Sequence, residues 1–82
     1  MTKFREPEHR DVGKIIEVQS VFTPNGDFVG KGWDKRVFLG RVSNSGLCNR
    51  NGVPIRNTYA CMDGGKKRGV ALWKEARIKD DC

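Results

Sequence analysis

The stretch that decides the fold is Lys14-Ile-Ile-Glu-Val-Gln-Ser-Val-Phe22. Its apolar residues fall on one face of an extended chain and its polar residues on the other: Ile16, Val18 and Phe22 against Glu17 and Gln19. A period of two is typical of a β-strand with one buried face. The sequence therefore predicts a strand over residues 14–22, to which the neighbouring segments must pair.

Turn and strand signals follow this strand. The segment Pro24-Asn25-Gly26-Asp27 predicts a hairpin turn, because Asn-Gly tolerates the positive φ angles that reverse the chain. Residues 35–42 predict a second strand, central because both of its faces are apolar, and Gly40 inside it predicts a bend or a close backbone approach. Residues 43–52 are rich in Asn, Ser and Gly and predict a long connection.

The C-terminal half contains shorter signals. Residues 53–62 predict two short strands, or one strand interrupted near Asn57, and residues 70–73 predict a strand that closes a hairpin with residues 59–62. Residues 74–80 are ambiguous, because their composition favours a helix while a weak alternation favours a strand. We expect a strand through Trp73, followed by a helical turn or short helix.

Five or six short strands separated by glycine-rich turns are typical of a mainly β protein. The sequence predicts a small antiparallel barrel or curled sheet, with one β-rich domain over residues 13–82 and a flexible charged arm over residues 1–12. A chain of 82 residues has room for one core only. Fold class does not determine function, so the charge distribution and the residue types are the features of the sequence that indicate function.

Positive charge is concentrated in the middle of the chain. The net charge is +6, but residues 28–72 alone contain nine basic residues against two acidic ones. Local density governs attraction to a polyanion, which makes nucleic acid the expected partner and a membrane surface a poor one. Arg36 and Arg41 share a face only if a bulge at Gly40 interrupts their strand. The nine candidate phosphate contacts are Lys31, Lys35, Arg36, Arg41, Arg50, Arg56, Lys66, Lys67 and Arg68.

The densest charge lies in Asp63-Gly-Gly-Lys-Lys-Arg-Gly69, which we call the basic loop. Paired glycines permit a tight turn whose backbone N–H groups point outward as an anion-binding concavity. Three adjacent cations follow them: Lys66, Lys67 and Arg68. The basic loop is therefore a candidate phosphate clamp, and the alternative is a solvated hairpin tip.

Aromatic residues are interleaved with these cations. Trp33 lies among glycines and lysines, and Tyr59 follows Arg56 by three residues. Cations that follow the phosphates and planar rings that stack on bases are what single-strand binding requires. The alternative is that these rings fill the core, which we favour for Trp73, whereas for Trp33 we favour exposure.

Catalysis and metal binding are not expected. His9, the only histidine, lies in the charged arm, which leaves the cysteines without a base. Cys48, Cys61 and Cys82 lack the close pair that is typical of a structural zinc site, so we expect free thiols and no cofactor. The N-terminus lacks a signal-peptide core and no segment is long and apolar enough to span a membrane, so we expect a cytoplasmic protein.

The sequence favours a small cytoplasmic RNA-binding protein that holds single-stranded or structured RNA and has no enzymatic activity. RNA is favoured over DNA because no recognition helix is evident. The alternative is a small inhibitor or adaptor, of the accessory type that phages and mobile elements encode, which docks its cationic face on an acidic protein or a nuclease, with or without RNA. Both interpretations need the same cations, so the sequence leaves both open.

Overall fold

The computed structural model describes residues 3–30, 32–62 and 69–80, and its regular elements are almost all strands. One turn of 3-10 helix spans His9–Asp11. The mainly β class is therefore confirmed, and all strand pairs are antiparallel. The strands are β1 (Lys3–Arg5), β2 (Ile15–Phe22), β3 (Phe28–Val29), β4 (Asp34–Cys48), β5 (Pro54–Met62) and β6 (Val70–Asp80).

The sheet curls back on itself through β2. This strand pairs with β4 along one edge and with β6 along the other, while β5 joins β4 to β6. Four pairings thus connect β2, β4, β5 and β6 in a closed circuit. The short strands β1 and β3 extend the sheet at its two ends.

The core lies inside this circuit, and each of its four strands contributes to it. Phe38 from β4 is fully buried, and Cys61 from β5 is buried beside it. Burial raises the pKa of the Cys61 thiol to about 12, so the thiol stays protonated. The cluster consists of Ile16, Val18, Phe38, Tyr59, Cys61, Trp73 and Ile78.

An irregularity at Ser20 changes which face of β2 is buried. Ser20 has a φ of +67°, and beyond it Val21 packs against the core while Phe22 is half-buried and contacts the ring of Phe28. The predicted alternation through Phe22 is therefore wrong at its last position. Regular alternation requires extended φ angles throughout, and Ser20 departs from them.

A second irregularity, at Gly40, was predicted and is confirmed. The pairing of β4 with β5 shifts by one residue between Phe38 and Gly40, whose φ is +146°. An extra residue on one strand of a pair is a β-bulge, which bends the strand. It also places Arg36, Phe38 and Arg41 on the same face of β4.

The connection predicted over residues 43–52 is mostly strand. β4 continues to Cys48, and only residues 49–53 form the turn that leads into β5. The Asn49 side-chain oxygen accepts hydrogen bonds from the backbone N–H groups of Asn51 and Val53, at 2.8 and 2.9 Å. Asn and Ser residues suggested a loop, but the ladder with β5 continues to Cys48. Where its register shifts, the side-chain oxygens of Asn44 and Ser45 accept hydrogen bonds from the N–H groups of Gly46 and Leu47.

The last two strands resolve both ambiguities of the C-terminal half. β5 is one strand with a left-handed residue at Asn57, whose φ is +57°. β6 is extended through residue 80, so the short C-terminal helix was a wrong prediction. Its residues pair with β2 and then with β1, and these long-range pairings outweigh helix propensity. Over the three described ranges no helix is long and apolar enough to cross a membrane.

The N-terminal segment differs from the expected arm with little regular structure. β1 pairs with the end of β6, and the side chain of Asp11 is fully buried. That carboxylate accepts two hydrogen bonds from Arg5, at 2.7 and 2.9 Å, and one from the Glu8 N–H, at 2.8 Å. The Arg5 hydrogen bonds lower the pKa of Asp11 well below its usual range, so the carboxylate holds the segment against the sheet while ionised.

Candidate nucleic-acid interface

A groove opens where β6 leaves β2. The two strands pair from Glu17 opposite Arg77 to Val21 opposite Trp73, whereas residues 78–80 pair with β1. The groove has a volume of about 510 Å³ and an apolar floor that includes two core isoleucines. Five cations line it against two acids: Arg5, Lys14, Lys35, Arg77 and Lys79 against Glu17 and Asp80. We call it the cationic groove.

The five cations differ in how they are engaged. Arg5 and Lys14 contact Asp11, and Arg77 contacts Glu17. Lys35 and Lys79 are exposed, and in the described part of the chain neither has a carboxylate within ion-pair distance. These two lysines are therefore the groove cations that an external anion can neutralise.

Beside the groove, four side chains form what we call the Arg77 cluster: Phe4, Glu17, Trp33 and Arg77. The guanidinium carbon of Arg77 lies 4.0 Å from the ring centroid of Phe4 and 4.0 Å from that of Trp33. Its Nε donates a hydrogen bond to Glu17 Oε1 at 2.8 Å. Three partners thus fix one guanidinium, and the two aromatic residues stay 40% and 39% exposed.

Two of the predicted phosphate contacts cover core rings instead. Because of the bulge, Arg36 and Arg41 both face the core side of β4, where their guanidinium carbons lie 5.7 Å from the Trp73 centroid and 5.5 Å from the Tyr59 centroid. Arg36 also donates to the Lys35 carbonyl at 2.6 Å. Neither arginine lines the cationic groove.

Two further predicted contacts lie on the β4–β5 hairpin. Arg50, in its turn, forms an ion pair with Asp27 at 2.7 Å. Arg56 lies opposite Asn44, nine residues along β4 from Lys35, and neither arginine lines the cationic groove. The structure therefore groups neither with Lys35.

The predicted aromatic contacts separate in the same way. Trp33 is on the surface, as expected from its glycine-rich surroundings. Tyr59 is only 7% exposed, and its ring contacts Phe38 in the core, so it has no free face for a base. Tyr59 is therefore a core residue, which is the alternative to base stacking that the sequence left open.

Residues 63–68 of the basic loop fall outside the described residues, as does Lys31. Its flanks are described: Met62 pairs with Val70 as the outermost pair of β5 and β6. Lys66, Lys67 and Arg68 therefore occur in the chain between these two strands, and their role as a phosphate clamp stays a prediction.

Sequence reasoning missed four of the five groove cations, Arg5, Lys14, Arg77 and Lys79. They lie near the termini, where acidic residues balance the local charge. The net charge counted along the chain therefore does not single them out. The signal that could have found two of them is the alternation in residues 72–79, which in a strand places Arg77 and Lys79 on one face. Arg5 and Lys14 had no such signal.

A second groove, of about 560 Å³, lies between the end of β2 with the turn after it, three residues of β4 and the start of β6. Its lining is largely apolar, and among described residues Arg36 is its single cation. This composition does not suit a polyanion.

Metal-binding groups and similarity to known proteins add no further indication of function. In residues 3–30, 32–62 and 69–80, no group of three His, Cys, Asp or Glu side chains could hold a metal ion. No protein-family model matches the chain, and neither a curated protein nor a solved structure matches it.

Proposed function

We propose that this protein is a cytoplasmic RNA-binding protein without enzymatic activity, and that the cationic groove holds the RNA backbone. The observation that carries the proposal is the arrangement of Lys35 and Lys79, two exposed and unengaged lysines, on one groove beside the Arg77 cluster. Phosphates need mobile cations, and bases need planar surfaces. Both are present within one site.

The charge balance of the groove supports this assignment. Three carboxylates, those of Asp11, Glu17 and Asp80, offset part of the five positive charges. Lys35 and Lys79 are the two groove cations that form no ion pair with the described residues. Phosphate binding at such lysines releases counterions, so affinity falls as salt rises. Lys66, Lys67 and Arg68 in the basic loop are proposed as additional phosphate contacts.

RNA is favoured over duplex DNA by the available elements. In the described residues the helical structure is limited to one 3-10 turn, which cannot enter a major groove as a recognition helix. Small sheets that carry accessible aromatic residues suit RNA instead.

The experiment compares two double variants that each remove two charges. K35Q/K79Q removes the unengaged lysines of the groove, and R50Q/R56Q removes two cations of the hairpin. RNA affinity is measured by fluorescence anisotropy in a salt series from about 50 to about 200 mM. We expect K35Q/K79Q to bind roughly tenfold more weakly and to have a salt slope shallower by about two charges. R50Q/R56Q should remain within roughly threefold of wild type.

Two results would contradict the proposal. Absence of binding at low salt would remove RNA as the partner. Equal losses in the two variants would mean that the whole surface attracts RNA without a defined groove. Circular dichroism of each variant checks that the sheet is intact.

The second candidate is the inhibitor or adaptor of accessory type that docks on an acidic protein or a nuclease. The observation that favours it is the apolar second groove, whose rim includes Leu47 and Val70, exposed by 46% and 64%. Exposed apolar residues near a cation are typical of protein contacts. A pull-down with and without ribonuclease distinguishes the two: a protein partner that survives digestion favours this candidate, whereas partners lost on digestion favour RNA.

A further inference from the structure

We infer that the groove takes an unpaired segment of RNA, with one base stacked on Trp33 and the adjoining phosphates on Lys35 and Lys79. This inference rests on the proposed function and specifies its ligand. Three observations support it. Arg77 packs against the Trp33 ring, Trp33 lies close to the lysines of the groove, and the groove is too short for a duplex.

Trp33 is held in place before any ligand arrives. The Arg77 guanidinium packs against its ring, and Glu17 and Phe4 fix that guanidinium in turn. Gly30, three residues earlier, passes so close to Ser20 that a Cβ on Gly30 would lie 2.5 Å from the Ser20 nitrogen. Gly30 is therefore seated tightly on β2. A ring that Arg77 already holds in place loses little entropy on stacking.

Trp33 and Lys35 are suited to one nucleotide. Trp33 immediately precedes β4, and Lys35 is the second residue of that strand. Arg77 packs on the Trp33 ring and lines the same groove as Lys35, so both side chains lie near one guanidinium. A base on the indole therefore brings its own phosphate towards Lys35. Lys79 completes the opposite side of the groove.

The extent of the site argues against a duplex. Lys35 lies opposite Glu17, and Glu17 lies opposite Arg77, so the row of charged side chains from Lys35 to Arg77 crosses three strands, or about 10 Å. Proteins that bind duplex RNA through its shape contact successive grooves over about 16 base pairs. Bases in a duplex are also covered by their neighbours, which leaves no free face for Trp33.

Intrinsic fluorescence tests the inference directly, because Trp33 is 39% exposed and Trp73 only 6%. The two probes are an oligouridylate of about ten nucleotides and a blunt RNA hairpin whose stem of about ten base pairs is closed by a non-nucleotide linker, so that it has no unpaired base. We expect the oligouridylate to quench the Trp33 emission and to bind at least fivefold more tightly than the hairpin, as expected for one stacked base. The hairpin should leave the emission nearly unchanged.

Two variants isolate the ring. W33L should lose both the quenching and the preference for the oligouridylate while retaining its affinity for the hairpin, whereas W33F should keep part of the preference. Emission from the buried Trp73 reports whether each variant is folded. If W33L is not folded, W33F alone is used for the test.

The outcomes separate this inference from the proposed function. If neither RNA binds at low salt, the proposed function fails. If both bind equally well and the emission is unchanged, RNA binding stands and the inference is overturned. If W33L retains the preference for the oligouridylate, a residue other than Trp33 stacks on the base, and the inference is again overturned.

Discussion

Arg77 and Arg36 both lie over tryptophan rings, but one pair is at the surface and the other covers the core. Arg77 lies 4.0 Å from the Trp33 centroid, and Trp33 is 39% exposed. Arg36 lies 5.7 Å from the Trp73 centroid, and Trp73 is 6% exposed. The same pair of residue types therefore covers the core in one place and leaves an aromatic ring exposed at the surface in the other.

The difference arises from the strand pairing and not from the residues themselves. Trp73 lies opposite both Tyr59 and Val21, so it is enclosed by the neighbouring strands of the curled sheet. Trp33 lies just before β4, outside the paired strands, and its ring packs against Arg77 at the surface. An arginine–tryptophan pair thus indicates function only after the burial of its ring is known.

The largest expected effect comes from truncating the two tryptophans in turn. W73A removes a buried ring and should lower the free energy of unfolding by about 3–5 kcal/mol. W33A removes an exposed cation–π contact and should cost about 1 kcal/mol or less. Urea denaturation followed by circular dichroism measures both. Similar losses in the two variants would show that Trp33 also belongs to the core.

The next effect concerns Asp11, which holds β1 and with it Phe4 of the Arg77 cluster. D11N should destabilise the protein at neutral pH and loosen Phe4, because the Asp11 pKa is lowered by its bonds to Arg5. Ionisation stabilises the fold above the usual carboxyl pKa of about 4, and this contribution disappears as pH falls below it. The difference in melting temperature between wild type and D11N should therefore shrink in acid. A constant difference would exclude ionisation as its cause.

A moderate effect is expected at Gly30, which packs closely against Ser20 of β2. A methyl group there would meet the Ser20 backbone at 2.5 and 2.8 Å, so G30A should cost about 1–3 kcal/mol. G69A is the matched control, because nothing lies within 4 Å of a Cβ at that position. Equal melting temperatures for the two variants would mean that β2 and β3 can separate freely.

The smallest effect is expected at Glu17, which holds Arg77 through one half-buried ion pair. E17Q should lower stability by about 1 kcal/mol or less and reduce the order of the Arg77 cluster. D27N removes the acid of the exposed Asp27–Arg50 pair and should change stability less. Thermal melts at low and high salt compare them. A larger loss in D27N would place the more important ion pair on the hairpin.

The sequence predicted the parts of the fold that local chemistry controls. The alternation in residues 14–18 and the glycine at position 40 indicated a strand and a bend, and both are present. Residues 74–80 were misjudged because helix propensity is a local property, whereas their pairing with β2 joins residues about sixty positions apart.

The candidate site was harder to predict for a related reason. Lys35 and Trp33 were identified from their surroundings, but Arg77 and Phe4 reach them only through the curled sheet. Arg36, Arg41 and Tyr59 belong to the basic segment in sequence, but Tyr59 is buried and the two arginines lie over core rings. Charge counted along the chain carries no information about which strand lies beside which.

The closure of β2 onto β6 also governs how this protein acquires its structure. Glu17 and Arg77 are separated by 60 residues, so the contact that completes the sheet closes a loop that contains most of the chain. Folds dominated by such distant contacts form slowly, typically in milliseconds to seconds. We expect the core and the groove to appear together in one cooperative step, and a chain that ends before residue 70 to have neither.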